Sequence, residues 1–350
     1  MKTIKGPAIF LAQFMSEQVP YNTLENITSW LVELGYRGIQ IPTWDSRCID
    51  LEKVATSKAY ADDYKGLLKE KGLEITELSV HLQSQLIASH PAYDQMFDGF
   101  APAIFRNNVN ERTKWAKGQV ELTIKAASNL GLNTIVGFSG ALLWHTMYPW
   151  PQRPAGLVED GFRELAERWK PILDICDHYD IDFAFELHPG EDLHDGITFE
   201  RFLENVNSHK RANLMYDPSH LLLQHIDYLQ FIDLYYDRIK AFHVKDAEFL
   251  KNGKSGVYGG YQDWVDRAGR FRSLGDGQID FKGIFSKLSR YGFGGWAVAE
   301  WECYIKNPSQ GAKEGVAFIN QHIIQVTDKT FDDFAGAEPD SDLNKRILGL

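Results

Sequence analysis

Cysteine is scarce in this 350-residue chain: Cys48, Cys176 and Cys303 are the only three, and they lie far apart. They are too few for a disulfide framework and too scattered for a Cys-rich zinc site, so a reducing compartment fits best. Apolar runs are short as well. None approaches the roughly 20 residues that a membrane helix needs. The five apolar residues from Ala8 to Ala12 are too few for the core of a signal peptide. The chain therefore reads as soluble and cytoplasmic, with no membrane partner. A positive excess is also missing: 37 Lys and Arg stand against 48 Asp and Glu, a formal charge of −11. That balance repels a phosphate backbone at long range and argues against nucleic acid as a partner. What remains, 44% hydrophobic and 24% charged residues, is the composition of a folded globular protein.

One punctuation mark recurs along the chain. Stretches with helical spacing end in Gly, and a short apolar run follows. Thr23 to Leu34 stops at Gly35, Ala61 to Lys71 at Gly72, Arg112 to Leu130 at Gly131, and Phe281 to Tyr291 at Gly292. Gly after a helix accepts the left-handed conformation that closes the last turn. The runs that follow are too short for helices and lack clean alternation, which predicts strands buried on both faces. Further runs follow helical stretches at Ile181 to Glu186, Ala212 to Asp217 and Ile239 to His243. With Ala8 to Ala12 at the start, about eight strands alternate with helices, the count of a (β/α)8 barrel. A doubly wound open sheet would call for a Gly-rich phosphate loop after an early strand, and no G-x-G-x-x-G stands there.

No linker divides the chain, so one barrel is expected over residues 1–327, followed by an acidic tail over 328–350. The acidic stretch of that tail, Asp328 to Asp342, suits a surface or subunit contact, and a homo-oligomer is expected. Three segments exceed what a barrel needs: Gln83 to Glu111, Ser139 to Gly156 and Ala247 to Gln278. Each follows a strand, which puts all three on the C-terminal face, where barrel enzymes build their sites. They hold Trp144, Trp150, Trp264, Tyr258 and Tyr261. Such a rim suits a sugar or a ring, and it equally suits packing of the loops onto the barrel.

The last four strands each stop on a metal-type ligand: Glu186, Asp217, His243 and Glu300. One carboxylate at a strand end is ordinary. Four ligand-type residues at the same barrel end would converge above its axis, and carboxylates that close need a neutralising cation. Three carboxylates and an imidazole form a mostly hard donor set. One divalent ion is expected there; Mn²⁺ suits the set best, and Mg²⁺, Co²⁺ and Zn²⁺ are compatible.

Glu186, then Asp217-Pro-Ser-His220, then His243-Val-Lys-Asp246, then Gly275-Asp-Gly-Gln-Ile-Asp280-Phe, then Glu300 resemble the xylose-isomerase-like TIM-barrel superfamily. Sugar phosphate isomerases and epimerases, ketose 3-epimerases, inosose-processing enzymes and endonuclease IV belong to it. The resemblance runs from about Ala8 to Ile324. It implies that Glu186, Asp217, His243 and Glu300 hold one divalent ion, that Glu186 and Glu300 also act as acid and base, and that His220 contacts substrate oxygen. In endonuclease IV the His matching His220 is a metal ligand. The extra histidines of that enzyme's zinc cluster have no counterpart in Gly137-Phe-Ser-Gly-Ala141 or Arg270-Phe-Arg-Ser-Leu-Gly-Asp276. A small carbohydrate is therefore the expected substrate, with endonuclease-like repair the less favoured alternative.

His81 ends the third run, and His188 lies two residues beyond Glu186 on the same strand face. Either binds substrate hydroxyls or hydrogen-bonds to a ligand residue. Lys245 either faces the pocket, two residues after His243, or pairs with Asp246. Arg272 is either solvated or grips substrate, a role the superfamily often gives this region. The expected chemistry is proton abstraction next to a sugar carbonyl, giving isomerisation or epimerisation. The same first step also begins an elimination, so a lyase or hydratase, or a hydrolase of 3-keto glycosides or inososes, is the alternative. A barrel that binds sugar without turnover is disfavoured by the intact ligand set.

Overall fold

A computed structural model of the protein describes residues 1–327 and 338–350. Ten strands form among these residues. They are β1 (Lys5–Phe10), β2 (Gly38–Pro42), β3 (Glu74–Ser79), β4 (Thr134–Gly137), β5 (Asp182–Glu186), β6 (Ala212–Tyr216), β7 (Ile239–Val244), β8 (Asp246–Phe249), β9 (Gly269–Arg272) and β10 (Trp296–Ala299). Eight close a parallel barrel in the order β1–β2–β3–β4–β5–β6–β7–β10, with β10 returning to β1. Helices connect successive strands, and the fold is a single (β/α)8 barrel.

The Gly punctuation works as the sequence implies. Gly35, Gly72, Gly131 and Gly292 have φ of 100°, 81°, 72° and 75°, a region that a side chain disfavours. The strands are buried on both faces because alternate residues serve two cores. On β5 and β6, Phe183, Phe185, Leu214 and Tyr216 face the outer helices. Val136, Ala184, Met215 and Ala241 form a separate cluster inside the barrel. Side chains of a strand alternate with period two. Glu186, Asp217 and His243 therefore share the inward face with Ala184, Met215 and Ala241, one step nearer the C-terminal mouth. Burying each large apolar side chain contributes roughly 1.5–3 kcal/mol, so this framework holds the polar mouth in place.

Several elements were not foreseen. Leu51–Thr56 and Pro308–His322 are helices. The segment Ala247 to Gln278 contains most of an antiparallel hairpin, in which β8 pairs β9 from Asp246 opposite Arg272 to Phe249 opposite Gly269. Asp246 anchors the hairpin's exit: its carboxylate accepts from the Gly275 and Gly277 amides at 3.0 and 2.9 Å. Position 277 must be glycine, because a Cβ there would lie 2.1 Å from Asp246 Oδ1. The segment Ser139 to Gly156 is pinned by buried acids: Glu191 accepts from Gly140 N at 2.5 Å, and Asp192 from Leu142 N and Leu143 N at 2.6 and 2.8 Å. Of the acidic tail, residues 328–337 lie outside the described residues, and Ser341–Leu348 forms an exposed helix. No described helix is long and apolar enough to cross a membrane.

Candidate metal centre

Glu186, Asp217, His243 and Glu300 meet at the C-terminal mouth, each offering one ligand atom, and these atoms all lie within 4.8 Å of one another. Two donors on opposite sides of a cation at about 2.4 Å are separated by about this distance. The residues come from β5, β6, β7 and β10, four adjacent strands, or from the position just after them. Relative exposures of 2%, 3%, 0% and 7% make this a desolvated cluster. Glu186 Oε1 and Asp217 Oδ2 are buried and accept no hydrogen bond. An orphaned carboxylate oxygen is costly to bury, and two beside an imidazole and a third carboxylate fit a divalent ion. Glu186, Asp217, His243 and Glu300 are the residues that could hold it.

The remaining contacts are specific. Glu186 has His81 Nε2 2.9 Å from Oε2 and His220 Nε2 3.4 Å from Oε1. Burial works to raise its carboxyl, but these two imidazoles hold it well below the ordinary range. Asp217 has less help, and burial pushes it up to about 7. His243 Nδ1 lies 3.0 Å from Glu300 Oε2. Burial disfavours its cation, yet the carboxylates of Glu300, Glu186 and Asp217 prevail and push it up to about 9. Glu300 is desolvated too, but Lys245 and His243 keep it below the usual carboxylate range.

Lys245 turns into the site. Its Nζ lies 3.1 Å from Glu300 Oε2, 2.9 Å from Glu302 Oε2 and 3.8 Å from Asp217 Oδ2. It also stands 4.2 Å over the Phe271 ring. It does not pair with Asp246, whose carboxylate is taken by backbone amides. The structure directs His81 to Glu186, with Nδ1 fixed by Ser79 Oγ at 2.7 Å. His188 packs its ring 4.2 Å from that of His220 and points Nδ1 at Pro189 O, 2.6 Å away. Burial next to the His220 ring pushes His188 down to about 3. Arg272 is tied across the hairpin to Glu248 at 2.8 Å and lies 4.0 Å from Asp276. Its ion pairs are with these outer carboxylates and not with the four central residues.

The aromatics of the long loops are partly packed and partly exposed. Phe271 stands edge-on to His220 with ring centroids 5.3 Å apart, and Trp264 stacks on Phe271 at 4.9 Å. Trp144 packs on His194, whereas Trp150 and Tyr261 are exposed. Three polar residues escaped the sequence reading. Gln13 Nε2 donates to Glu300 Oε1 at 2.8 Å. Gln40 Oε1 lies 2.9 Å from His243 Nε2, and Gln40 Nε2 donates to Glu77 Oε2 at 3.2 Å. An amide standing alone in the apolar run Gly38-Ile-Gln-Ile-Pro42 was the available signal.

The buried acid–histidine cluster lies at the C-terminal mouth of a closed (β/α)8 barrel, the end where enzymes of this fold build their sites. The chain belongs to the xylose isomerase-like TIM barrel family, whose profile matches residues 29–322. An inosose dehydratase of Bacillus licheniformis is 25% identical over 171 residues, which cover 48% of this chain and 57% of that enzyme. The chain thus spans a little over half the length of that relative. Among solved structures, the apo 3-keto-D-glucoside 4-epimerase of E. coli aligns over 92% of this chain and 100% of its own, with TM-score 0.59 and 14% identity. The IOLI protein with a bound zinc atom aligns over 91% and 96%, with TM-score 0.57 and 15% identity. These likenesses are to the fold.

Proposed function

We propose that this protein is a divalent-metal-dependent enzyme that removes a proton next to a carbonyl of a small carbohydrate and returns it, as an isomerase or epimerase. The observation that carries this reading is the convergence of four strand-end ligands with two orphaned carboxylate oxygens among them. A divalent ion held by Glu186, Asp217, His243 and Glu300 would supply Lewis-acid stabilisation of the developing oxyanion. The IOLI structure binds zinc, and the donor set also suits Mn²⁺, Mg²⁺ and Co²⁺.

The chain's own groups do the rest. Glu186 and Glu300 are both held ionised by cationic or hydrogen-bonding neighbours, so either can accept a proton from carbon. They sit on the outer two of the four ligand strands, which suits transfer at two positions on one substrate. His220, beside Glu186 and Asp217, is positioned to contact a substrate hydroxyl. Lys245 keeps an ammonium beside Glu300, where it would stabilise negative charge on substrate oxygen. Elimination is the second reading, because the same buried ammonium could donate a proton to a departing hydroxyl. The likeness to inosose dehydratases points the same way.

The test is exchange of substrate C–H with deuterated water on a panel of ketoses, inososes and 3-keto glucosides, with EDTA or with added Mn²⁺. Exchange on at least one class, present with Mn²⁺ and abolished by EDTA, supports the proposal. Epimer or isomer then means the first reading, and an unsaturated product means elimination. Turnover of a panel member without exchange would overturn both.

A further inference from the structure

The inward face of a barrel is ordinarily filled by branched aliphatic side chains. Here Gln40 on β2 and Glu77 on β3 stand inside it, 0% and 3% exposed, and lead from one wall to His243 on β7. Their placement depends on an irregularity in the β2–β3 register. Ile39 pairs with Ile75 but Ile41 pairs with Leu78, so Thr76 and Glu77 together face the single residue Gln40. A bulge of this kind re-aims one side chain. On this strand it turns a carboxylate toward the Gln40 amide.

We infer that Gln40 and Glu77 are positioning residues that select the histidine tautomer able to bind a metal. The inference rests on the metal-centre reading above. A carboxylate oxygen accepts hydrogen bonds, so Glu77 takes the NH₂ end of Gln40 and leaves its C=O end facing His243. A carbonyl also only accepts, so His243 Nε2 must carry hydrogen. The lone pair of a neutral imidazole then lies on Nδ1, the nitrogen that points at Glu300 and the ligand cluster. Without Glu77 the amide is free to flip, its NH₂ would face Nε2, and the other tautomer would be favoured. The ligand's second nitrogen is often held this way, and losing such a partner typically weakens metal binding by ~10–100-fold.

The experiment uses the full chain and Zn²⁺ alone, with affinity read by chelator competition. Gln40→Met keeps length and removes the acceptor, and Zn²⁺ affinity should fall by ~10–100-fold. Gln40→Glu restores an acceptor and should bring affinity back to within several-fold of wild type. A purely structural role predicts the reverse order, because a buried carboxylate disturbs the interior more than a thioether. Long-range ¹⁵N correlation spectra of the Zn²⁺-loaded wild type need no variant and should show His243 protonated on Nε2. Wild-type affinity in Gln40→Met, or His243 protonated on Nδ1, overturns the inference. If the wild type itself takes up no Zn²⁺, the metal-centre reading fails first and the inference falls with it.

Discussion

The two halves of the barrel mouth are built from different chemistry. The half formed by β5, β6, β7 and β10 carries Glu186, Asp217, His243, Lys245 and Glu300, all buried. The half formed by β1 to β4 contributes Gln13 after β1, Gln40 on β2 and His81 after β3, with Phe10 and Phe138 against the rings of His243 and His81. Three polar groups of that second half reach across to a member of the first: Gln13 to Glu300, Gln40 to His243, His81 to Glu186. Apart from Glu77, which stands behind Gln40, charge sits on one side, and amides and rings on the other hold it in register. Barrels concentrate function at this mouth; here the division within the mouth separates the four candidate metal-binding residues from the groups that hydrogen-bond to them.

Breaking the charged half should have the largest effects. On the proposed acid–base roles, Glu186→Gln and Glu300→Gln each put an amide of the same shape where a base is needed, so solvent exchange of the substrate C–H should fall by at least ~10². Folded-state circular dichroism should not change. Lys245→Met comes next, because it leaves Glu300, Glu302 and Asp217 without their buried cation. Removing one partner of a buried charge pair costs roughly 3–5 kcal/mol. Urea unfolding with EDTA present should show that loss, and added Mn²⁺ should recover part of it.

A pH series sharpens the comparison further. His243 and Asp217 are pushed up to about 9 and about 7. Each therefore holds its proton more tightly folded than unfolded, where imidazole and Asp titrate near ~6.5 and ~3.9. Without metal, the His243 contribution is complete below about pH 6.5 and is lost as pH rises through about 9. Asp217 acts in the same direction between about 4 and 7. Metal must displace these protons, so its affinity should rise over the range in which stability of the metal-depleted protein declines. Thermal melts with EDTA and metal titrations at the same pH values check the opposed slopes. The smallest effect belongs to the neutral half: Gln13→Met removes one partly buried donor to Glu300. Turnover should fall by about tenfold, the low end for a hydrogen bond to a charged group.

Legibility followed the same division. The convergence of Glu186, Asp217, His243 and Glu300 could be read because each ends an apolar run, and an ionisable group there breaks the local pattern. The barrel could be read because Gly35, Gly72, Gly131 and Gly292 mark helix ends by a backbone requirement that other residues meet poorly. Gln13 offered no such signal and Gln40 only the amide inside an apolar run, which reads the same whether it bonds to a site residue or meets water. Glu77 was hidden twice, by its place within the third run and by a bulge that no residue type announces. Arg272 read equally as solvated or as gripping substrate, because its pairing with Glu248 depends on a hairpin register set by tertiary packing.

The most direct test of the central claim is the metal content of the purified chain, loaded with Mn²⁺ and dialysed, for the wild type and Asp217→Ala. Asp217 offers a buried oxygen that accepts no hydrogen bond, while its other oxygen accepts from Ser219 N at 2.8 Å. The four-residue centre predicts roughly one ion per wild-type chain and less than about a tenth of that in the variant, with folding retained. Equal, full occupancy in both would contradict it.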